Sequence, residues 1–365
     1  MKSVQSSEYA VILILMTNYL LEVRNLKMHF PVYGGILRRR TGTVYAVDNV
    51  SFKVRAGETL GLVGESGCGK TTLGRTVLRI YEPSGGYVWF EENNMALRSR
   101  KELREIRRNM QMIFQDPFES LNSRHTVGEI LEEPFIIHNI GTTEERRKKV
   151  KELLNRVGLS ESAMNRFPHE FSGGQRQRIG IARAIALEPK LIVCDEPVSA
   201  LDVSIRSQIL NLLLELQAEM KLTYLFITHD LSVVRHISDN IAVMYLGKIV
   251  EYTDADSLYE KPLHPYTQTL MNCIPVPDPT VKRKRQNLIG DVPSPVSPPS
   301  GCRFHTRCPI MKDICKIEEP VLSAIAGESH LVACHGISQG FAYCTDSVIT
   351  SFYTSIKDLL VQSST

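Results

Sequence analysis

Residues 64 to 71 read Gly-Glu-Ser-Gly-Cys-Gly-Lys-Thr, and about 100 residues later the chain reads Phe-Ser-Gly-Gly-Gln, Phe171 to Gln175. The first stretch fits G-x-x-x-x-G-K-[ST], a loop whose backbone N–H groups surround nucleotide phosphates when it joins a strand to a helix. The apolar run Thr59-Leu-Gly-Leu-Val supplies that strand, and a helix is expected to start near Lys70. Leu191-Ile-Val-Cys and Tyr224-Leu-Phe-Ile are runs of the same kind, ending in Asp195-Glu196 and in Thr228-His229-Asp230. Short continuous apolar runs of this sort read as buried parallel strands. Open α/β sheets bind ligands at the carboxyl ends of their strands, so the three clusters are expected to converge on one site. Three unrelated core strands are the alternative. It fits poorly, because every run ends in the residue types that phosphoryl transfer requires.

The expected roles follow from chemistry. Gly64, Gly67 and Gly69 let the backbone approach phosphate oxygens where a Cβ would clash, and Glu65, Ser66 and Cys68 complete the loop. Lys70 is expected to reach the β- and γ-phosphates, the Thr71 hydroxyl to ligate Mg²⁺, and Thr72 to lie beside them. The helix's positive end assists by roughly 0.3–2 kcal/mol, too little to account for binding alone. Asp195 fits the carboxylate that holds the same ion, and Glu196, pointing the other way, is free to orient or activate water.

Taken together with Met112-Ile-Phe-Gln-Asp-Pro and Ser199-Ala-Leu-Asp, these segments carry a resemblance. From about Tyr19 to Cys334 the chain resembles the ATPase subunit of the peptide-importing ATP-binding cassette (ABC) family, oligopeptide/dipeptide type. The resemblance implies an α/β P-loop cassette with a mixed sheet core, an inserted helical subdomain at about 116–180, and a small C-terminal Cys-containing region. Gln115 corresponds to the Q-loop glutamine, touching Mg²⁺ or the attacking water. Ser172, Gly173, Gly174 and Gln175 match the signature, Asp202 closes the D-loop, and His229 matches the switch histidine. A lone His229 would read as a satisfied core histidine; in this order with the other motifs it reads as a γ-phosphate contact. The family stacks adenine on an aromatic residue ahead of the loop, for which Phe30 is the choice by position and Tyr45 its competitor. Phe171 stands where the family usually has Leu.

The signature residues of one chain would cap the γ-phosphate of ATP held by another, so the implied machine is a sandwich of two cassettes around two nucleotides. Its implied partners are a second homologous ATPase, two transmembrane permease subunits and an extracytoplasmic solute-binding protein, at the cytoplasmic face of the cell membrane. Pro262-Leu-His-Pro-Tyr-Thr and Gly-Glu-Ser-Gly-Cys-Gly-Lys favour peptide as cargo. Importers of nickel, glutathione or other small solutes share the machinery. A soluble ABC ATPase of DNA repair or translation is the remote alternative. It is disfavoured by a single cassette, a short helical insertion and a net charge of only +3 from 43 basic and 40 acidic residues. Nucleic acid is therefore not an expected partner.

The apolar run Ala10 to Met16 falls far short of the roughly 20 residues that span a bilayer. Cassette-like sequence begins at Tyr19, which points to 1–18 as an extension with Met16 as the functional start. Glu144 to Leu154 suggests a solvated amphipathic helix, and Ser204 to Met220 a helix packing through Ile205, Ile209, Leu212, Leu213 and Leu216. The cassette is taken to end near 270; a Pro-rich linker with Lys282-Arg-Lys-Arg follows over 271–301, and a tail over 336–365.

Between linker and tail, residues 302–335 carry Cys302, Cys308, Cys315 and Cys334. In a reducing compartment four thiolates suit metal better than disulfides, as a [4Fe–4S] cluster or as zinc. The spacing lacks the paired C-x2-C knuckles of many zinc sites, and the family resemblance implies the cluster; His305 and His335 keep zinc open, and a metal-free region is the third reading. Cys194 reads as a small core hydrophobe. Cys68 lies near a helix N-terminus, a setting that lowers a thiol pKa. Cys273 and Cys344 have no evident role.

Overall fold

The computed structural model describes residues 19–35, 39–274, 290–325 and 329–338. The expected extension, the basic part of the linker and Cys344 lie outside the described residues. In chain order the strands are β1 (Tyr19–Gly34), β2 (Arg39–Arg55), β3 (Thr59–Val63), β4 (Gly85–Phe90), β5 (Asn93–Asn94) and β6 (Met110–Ile113). They continue with β7 (Leu191–Asp195), β8 (Thr223–Thr228), β9 (Asn240–Tyr245), β10 (Lys248–Asp254), β11 (Ser323–Ala324) and β12 (Leu331–Val332). The helices are α1 (Lys70–Val77), α2 (Arg100–Arg108), α3 (Pro117–Ser120), α4 (Val127–Ile137) and α5 (Thr143–Arg156). Then come α6 (Gly173–Ile185), α7 (Val203–Met220), α8 (Leu231–Ile237), α9 (Ala255–Glu260) and α10 (Pro265–Asn272). One sheet runs β2-β1-β4-β5, the other β11-β12-β10-β9-β3-β8-β7-β6.

The chain divides into two units whose segments interleave, and strands β1, β2 and β3 contribute residues to both. Of the described residues, the first unit takes 19–26, Ser51–Leu60 and Leu73–Thr228. Here β6, β7 and β8 are parallel, with Met110 opposite Leu191 and Asp195 opposite Ile227. Every residue of β7 and β8 is buried, which is why both read as unbroken apolar runs: both faces of the sheet are covered. Helix α7 buries Ile209, Leu212, Leu213 and Leu216 at helical spacing, while Ile205, expected in the same stripe, is only half-buried. Helices α2, α4, α5 and α6 all begin with the same reciprocal cap, as in Thr142 with Glu145 and Ser172 with Gln175. Each such cap stabilises its helix start by about 1 kcal/mol.

The second unit takes the described residues of Lys27–Val50, Gly61–Thr72 and 229–338. Strands β9 and β10 are antiparallel with Tyr245 opposite Lys248, leaving Leu246 and Gly247 as a two-residue turn. Both have positive φ, 41° and 83°, the conformation whose twist suits a tight hairpin. Strand β10 pairs with β12, setting Glu251 opposite Val332. The core gathers Val63, Tyr245, Leu258, Tyr266 and Phe304, so the segment after Cys302 is built into it. Among the described residues no helix is long and apolar enough to cross a membrane.

Candidate functional site

The glycine loop follows β3 and opens α1, as its sequence requires. A Cβ on Gly64 would stand 2.2 Å from the Met244 carbonyl oxygen, and one on Gly69 would stand 2.0 Å from that of Ala46. These two positions therefore need glycine even before a ligand arrives, because neighbouring backbone occupies the space. Lys70 is buried. Its Nζ donates to the carbonyl oxygens of Gly64 (2.7 Å) and Glu65 (3.0 Å). The ammonium thus lies folded over its own loop. Thr71 and Thr72 are half-buried in the first turn of α1.

Cys68 departs from its expected chemistry. It is buried, and burial pushes its thiol pKa up, outweighing the nearby Lys70 charge that pulls it down. Desolvation outweighs the Lys70 charge and N–H, so the fold favours the protonated thiol. Cys194, fully buried in β7, is also shifted upward by burial.

In the first unit, β7 delivers Asp195, buried, and then Glu196. Glu196 has φ 47°, in the left-handed region that a Cβ disfavours by roughly 1–2 kcal/mol. The strain holds it where its backbone N–H donates to the Ile227 carbonyl at 2.9 Å. Its carboxylate accepts from Gln115 Nε2 at 3.1 Å, joining two residues 81 positions apart. Ser199 closes the following turn, its hydroxyl donating to the Glu196 carbonyl at 3.1 Å. Asp202 precedes α7 without a side-chain cap bond and is exposed.

The signature segment starts α6. The Gln175 N–H donates to Ser172 Oγ (3.4 Å), and the Ser172 N–H donates to Gln175 Oε1 (3.0 Å). Ser172 and Gln175 are exposed, while Gly173 and Gly174 are half-buried. A Cβ on Gly174 would meet Ile205 Cγ2 of α7 at 2.5 Å. The glycine pair thus lets two helices close up beneath an exposed, N–H-rich turn, suited to an anion arriving from outside. Arg176 was not singled out by sequence reasoning. It is buried, donates to the Pro168 and His169 carbonyls, and lies 3.7 Å from the Phe118 ring centre, tying α6 to α3. Its lone signal was adjacency to the signature.

In the second unit, His229 is exposed at the start of α8. Phe30 is half-buried on β1. Its competitor Tyr45 packs edge-on against His29, ring centres 4.8 Å apart.

The four C-terminal cysteines lie in each other's electrostatic neighbourhood. Burial pushes Cys302 up to about 11, with the Phe304 and His305 N–H groups pulling down and Cys334 and Cys315 adding to the rise. Burial likewise pushes Cys308 up to about 12, opposed by the Ile310 N–H. Cys334 is raised by burial against the Ile337 and Gly336 N–H groups. Yet among the described residues no group of three or more His, Cys, Asp or Glu side chains is arranged to hold a metal ion. The expected cluster or zinc site is thus not preformed. The two histidines that kept zinc open each use one ring nitrogen in a backbone hydrogen bond: His305 Nδ1 with the Cys302 carbonyl at 2.9 Å, His335 Nε2 with that of Glu318 at 3.0 Å.

Two family descriptions match this chain, ABC transporter over residues 47–199 and oligopeptide/dipeptide transporter, C-terminal region, over 250–315. The oligopeptide transport ATP-binding protein AppF of Bacillus subtilis is 57% identical over 319 residues, 87% of this chain and 97% of that protein. This chain belongs to the ABC transporter ATP-binding family of oligopeptide/dipeptide type. YkfD of Bacillus subtilis is 54% identical to this ABC protein across 87% of its length and 95% of YkfD. A solved relative is the ATP-binding cassette MJ0796, dimeric in a post-hydrolysis state with ADP and Pi. It is 30% identical, with a TM-score of 0.58, over 64% of this chain and 98% of that one. CbiO1 of Clostridium perfringens, part of a CbiONQ transporter, matches with a TM-score of 0.56 and 30% identity over 66% of this chain and 91% of that one. The ABC cassette fold accounts for the mixed sheet and for the order of the segments described above.

Proposed function

We propose that this chain is the ATP-hydrolysing subunit of a peptide importer, working as one half of a two-cassette sandwich beside membrane permeases. The observation that carries the hydrolytic part is the Gln115–Glu196 contact, at the end of the strand that presents Asp195. Lys70 leaves its loop carbonyls for the β- and γ-phosphates, an exchange of neutral for charged acceptors. Thr71, Asp195 and Gln115 would hold Mg²⁺, and the ion would supply charge neutralisation at the phosphoryl oxygens. Glu196 takes the proton of the attacking water, and Gln115, bonded to Glu196, orients both. His229 contacts the γ-phosphate and Phe30 stacks on adenine. Ser172, Gly173, Gly174 and Gln175 serve the neighbouring cassette's nucleotide, with Asp202 beside them; loss of the γ-phosphate opens the pair.

Peptide as cargo is supported by the matching C-terminal region and by relatives named for peptide transport. A solute-binding protein that delivers the peptide, and a peripheral place at the cytoplasmic face, belong to the same reading. Vesicles holding this chain, its second cassette and two permeases are expected to take up labelled peptide with ATP, and Glu196→Gln to abolish uptake. Uptake of nickel or glutathione in place of peptide would overturn the cargo.

A [4Fe–4S] cluster on Cys302, Cys308, Cys315 and Cys334 belongs to the same proposal. Its support is the set of four cysteines in one short region; the described side chains are not arranged for a metal, so binding would have to gather them. Binding would displace the thiol protons. Iron with broad absorption near 400 nm in anaerobically purified protein is expected; zinc, or no metal, would refute it.

A further inference from the structure

Glu65 is an odd residue to find in a loop that must receive a triphosphate. Its negative charge lies within the anion site and opposes the ligand. Three of its groups are already committed. Its N–H donates to Tyr266 Oη at 2.8 Å, and its carbonyl accepts from Lys70 Nζ at 3.0 Å. Its carboxylate accepts two bonds from one guanidinium, Arg307 Nη1 to Oε2 at 2.9 Å and Nη2 to Oε1 at 3.3 Å.

Arg307 comes from the cysteine-bearing segment, 242 residues further along the chain. The segment is anchored just ahead of this bond, at Arg303 and Phe304. Phe304 packs against Tyr245 and Tyr266 with ring centres 5.3 and 5.5 Å away. Arg303 pairs with Asp48 and also donates to the Leu246 carbonyl. Arg307 itself is buried, and Tyr245 Oη accepts a further bond from it at 3.4 Å. Burial works against its charge, yet its bonds to Glu65 and Tyr245 raise its pKa above the ordinary arginine value. Paired so, the two residues form a bidentate contact whose partners are both oriented.

We infer that Arg307 is a positioning residue for the phosphate loop: it neutralises Glu65 and fixes its direction, so the C-terminal region sets how well the loop accepts nucleotide. Arg307 touches no reacting atom; it acts through Glu65. The inference rests on the loop binding nucleotide and adds a determinant from outside the cassette motifs. Loosening the 302–308 segment then weakens nucleotide binding from a distance.

The test is Mg-ATP affinity of the purified full chain in a double-mutant cycle. Arg307→Gln leaves Glu65 unpaired beside the phosphates, and the dissociation constant is expected to rise about tenfold. In a Glu65→Gln background the same change is expected to cost less than threefold, because no charge is left to neutralise. Equal losses in both backgrounds would show that Arg307 is merely packing, and no loss in either would show that it is irrelevant; both overturn the inference. If Arg307→Gln does not fold, Arg307→Lys retains charge without the fork. Its smaller loss is expected to vanish with Glu65→Gln, and its persistence there would overturn the inference as well. Wild-type chain unable to bind Mg-ATP would overturn both this inference and the ATPase reading, whereas wild-type binding with an unaffected cycle overturns this inference alone.

Discussion

Replacing Glu196 by Gln separates binding from chemistry. The substitution keeps the side chain's shape and the left-handed backbone, φ 47°, that places it. The substituted amide's carbonyl oxygen still accepts the bond that Gln115 Nε2 now gives to Glu196 at 3.1 Å. Exchanging a charged for a neutral acceptor at this partly exposed position changes stability by about 1 kcal/mol or less. Removing a general base costs about 10²–10⁴ in rate, or about 3–5 kcal/mol of barrier at 1.36 kcal/mol per decade. The loss of one negative charge near the γ-phosphate favours ATP retention. The expected outcome is turnover reduced at least a hundredfold in the assembled complex, with Mg-ATP affinity equal to or tighter than wild type and the thermal transition shifted by only a few degrees. Phosphate release and equilibrium nucleotide binding on one preparation check both halves. Turnover within threefold of wild type would refute the role of Glu196.

Gly174→Ala sets a methyl 2.5 Å from Ile205 Cγ2. Overpacking of that kind costs about 1–3 kcal/mol and displaces the start of α6; turnover of the paired cassettes is expected to fall more than ATP binding by this chain alone, measured side by side. His264 is buried, and burial lowers its pKa from 6.5 to about 4, partly opposed by Glu251. The unfolded chain therefore binds a proton between about pH 6.5 and 4 that the fold excludes. Stability is present above pH 6.5 and falls as pH drops toward 4, by about 3 kcal/mol in all. Asn in its place retains an acceptor for the Tyr266 N–H, which His264 Nδ1 now accepts at 3.1 Å. Denaturant titrations of His264→Asn across that range are expected to lose this component, and an unchanged pH slope would refute it.

Local signals made much of this fold legible. Thr59–Val63 was readable to the residue because a strand covered on both faces is buried at every position and leaves an unbroken, mostly apolar run. The α7 stripe was readable because its members lie three or four residues apart. Gln115 and Glu196, 81 positions apart, share a hydrogen bond that no periodicity announces; only motif order suggested that they belong together. The Glu65–Arg307 pair was invisible for the same reason, with no motif to link it. Cys68 shows a different limit. Its neighbours in sequence favour a thiolate, but burial is the larger influence and raises its pKa. The loop glycines were expected for the room a phosphate needs; at Gly64 and Gly69 the structure adds neighbouring backbone as a reason, which the sequence could not announce.

Reciprocal capping of one cassette's nucleotide by the other is measured most directly as Mg-ATP-dependent pairing. With hydrolysis stopped by Glu196→Gln, this chain and its second cassette are expected to co-elute at their summed mass only when Mg-ATP is present. Adding Ser172→Arg, which fills the exposed turn at the head of α6, is expected to abolish that pairing while this chain still binds nucleotide. Two cassettes that each hold Mg-ATP and yet remain separate, or that pair undiminished with the Ser172→Arg change in place, would contradict the account.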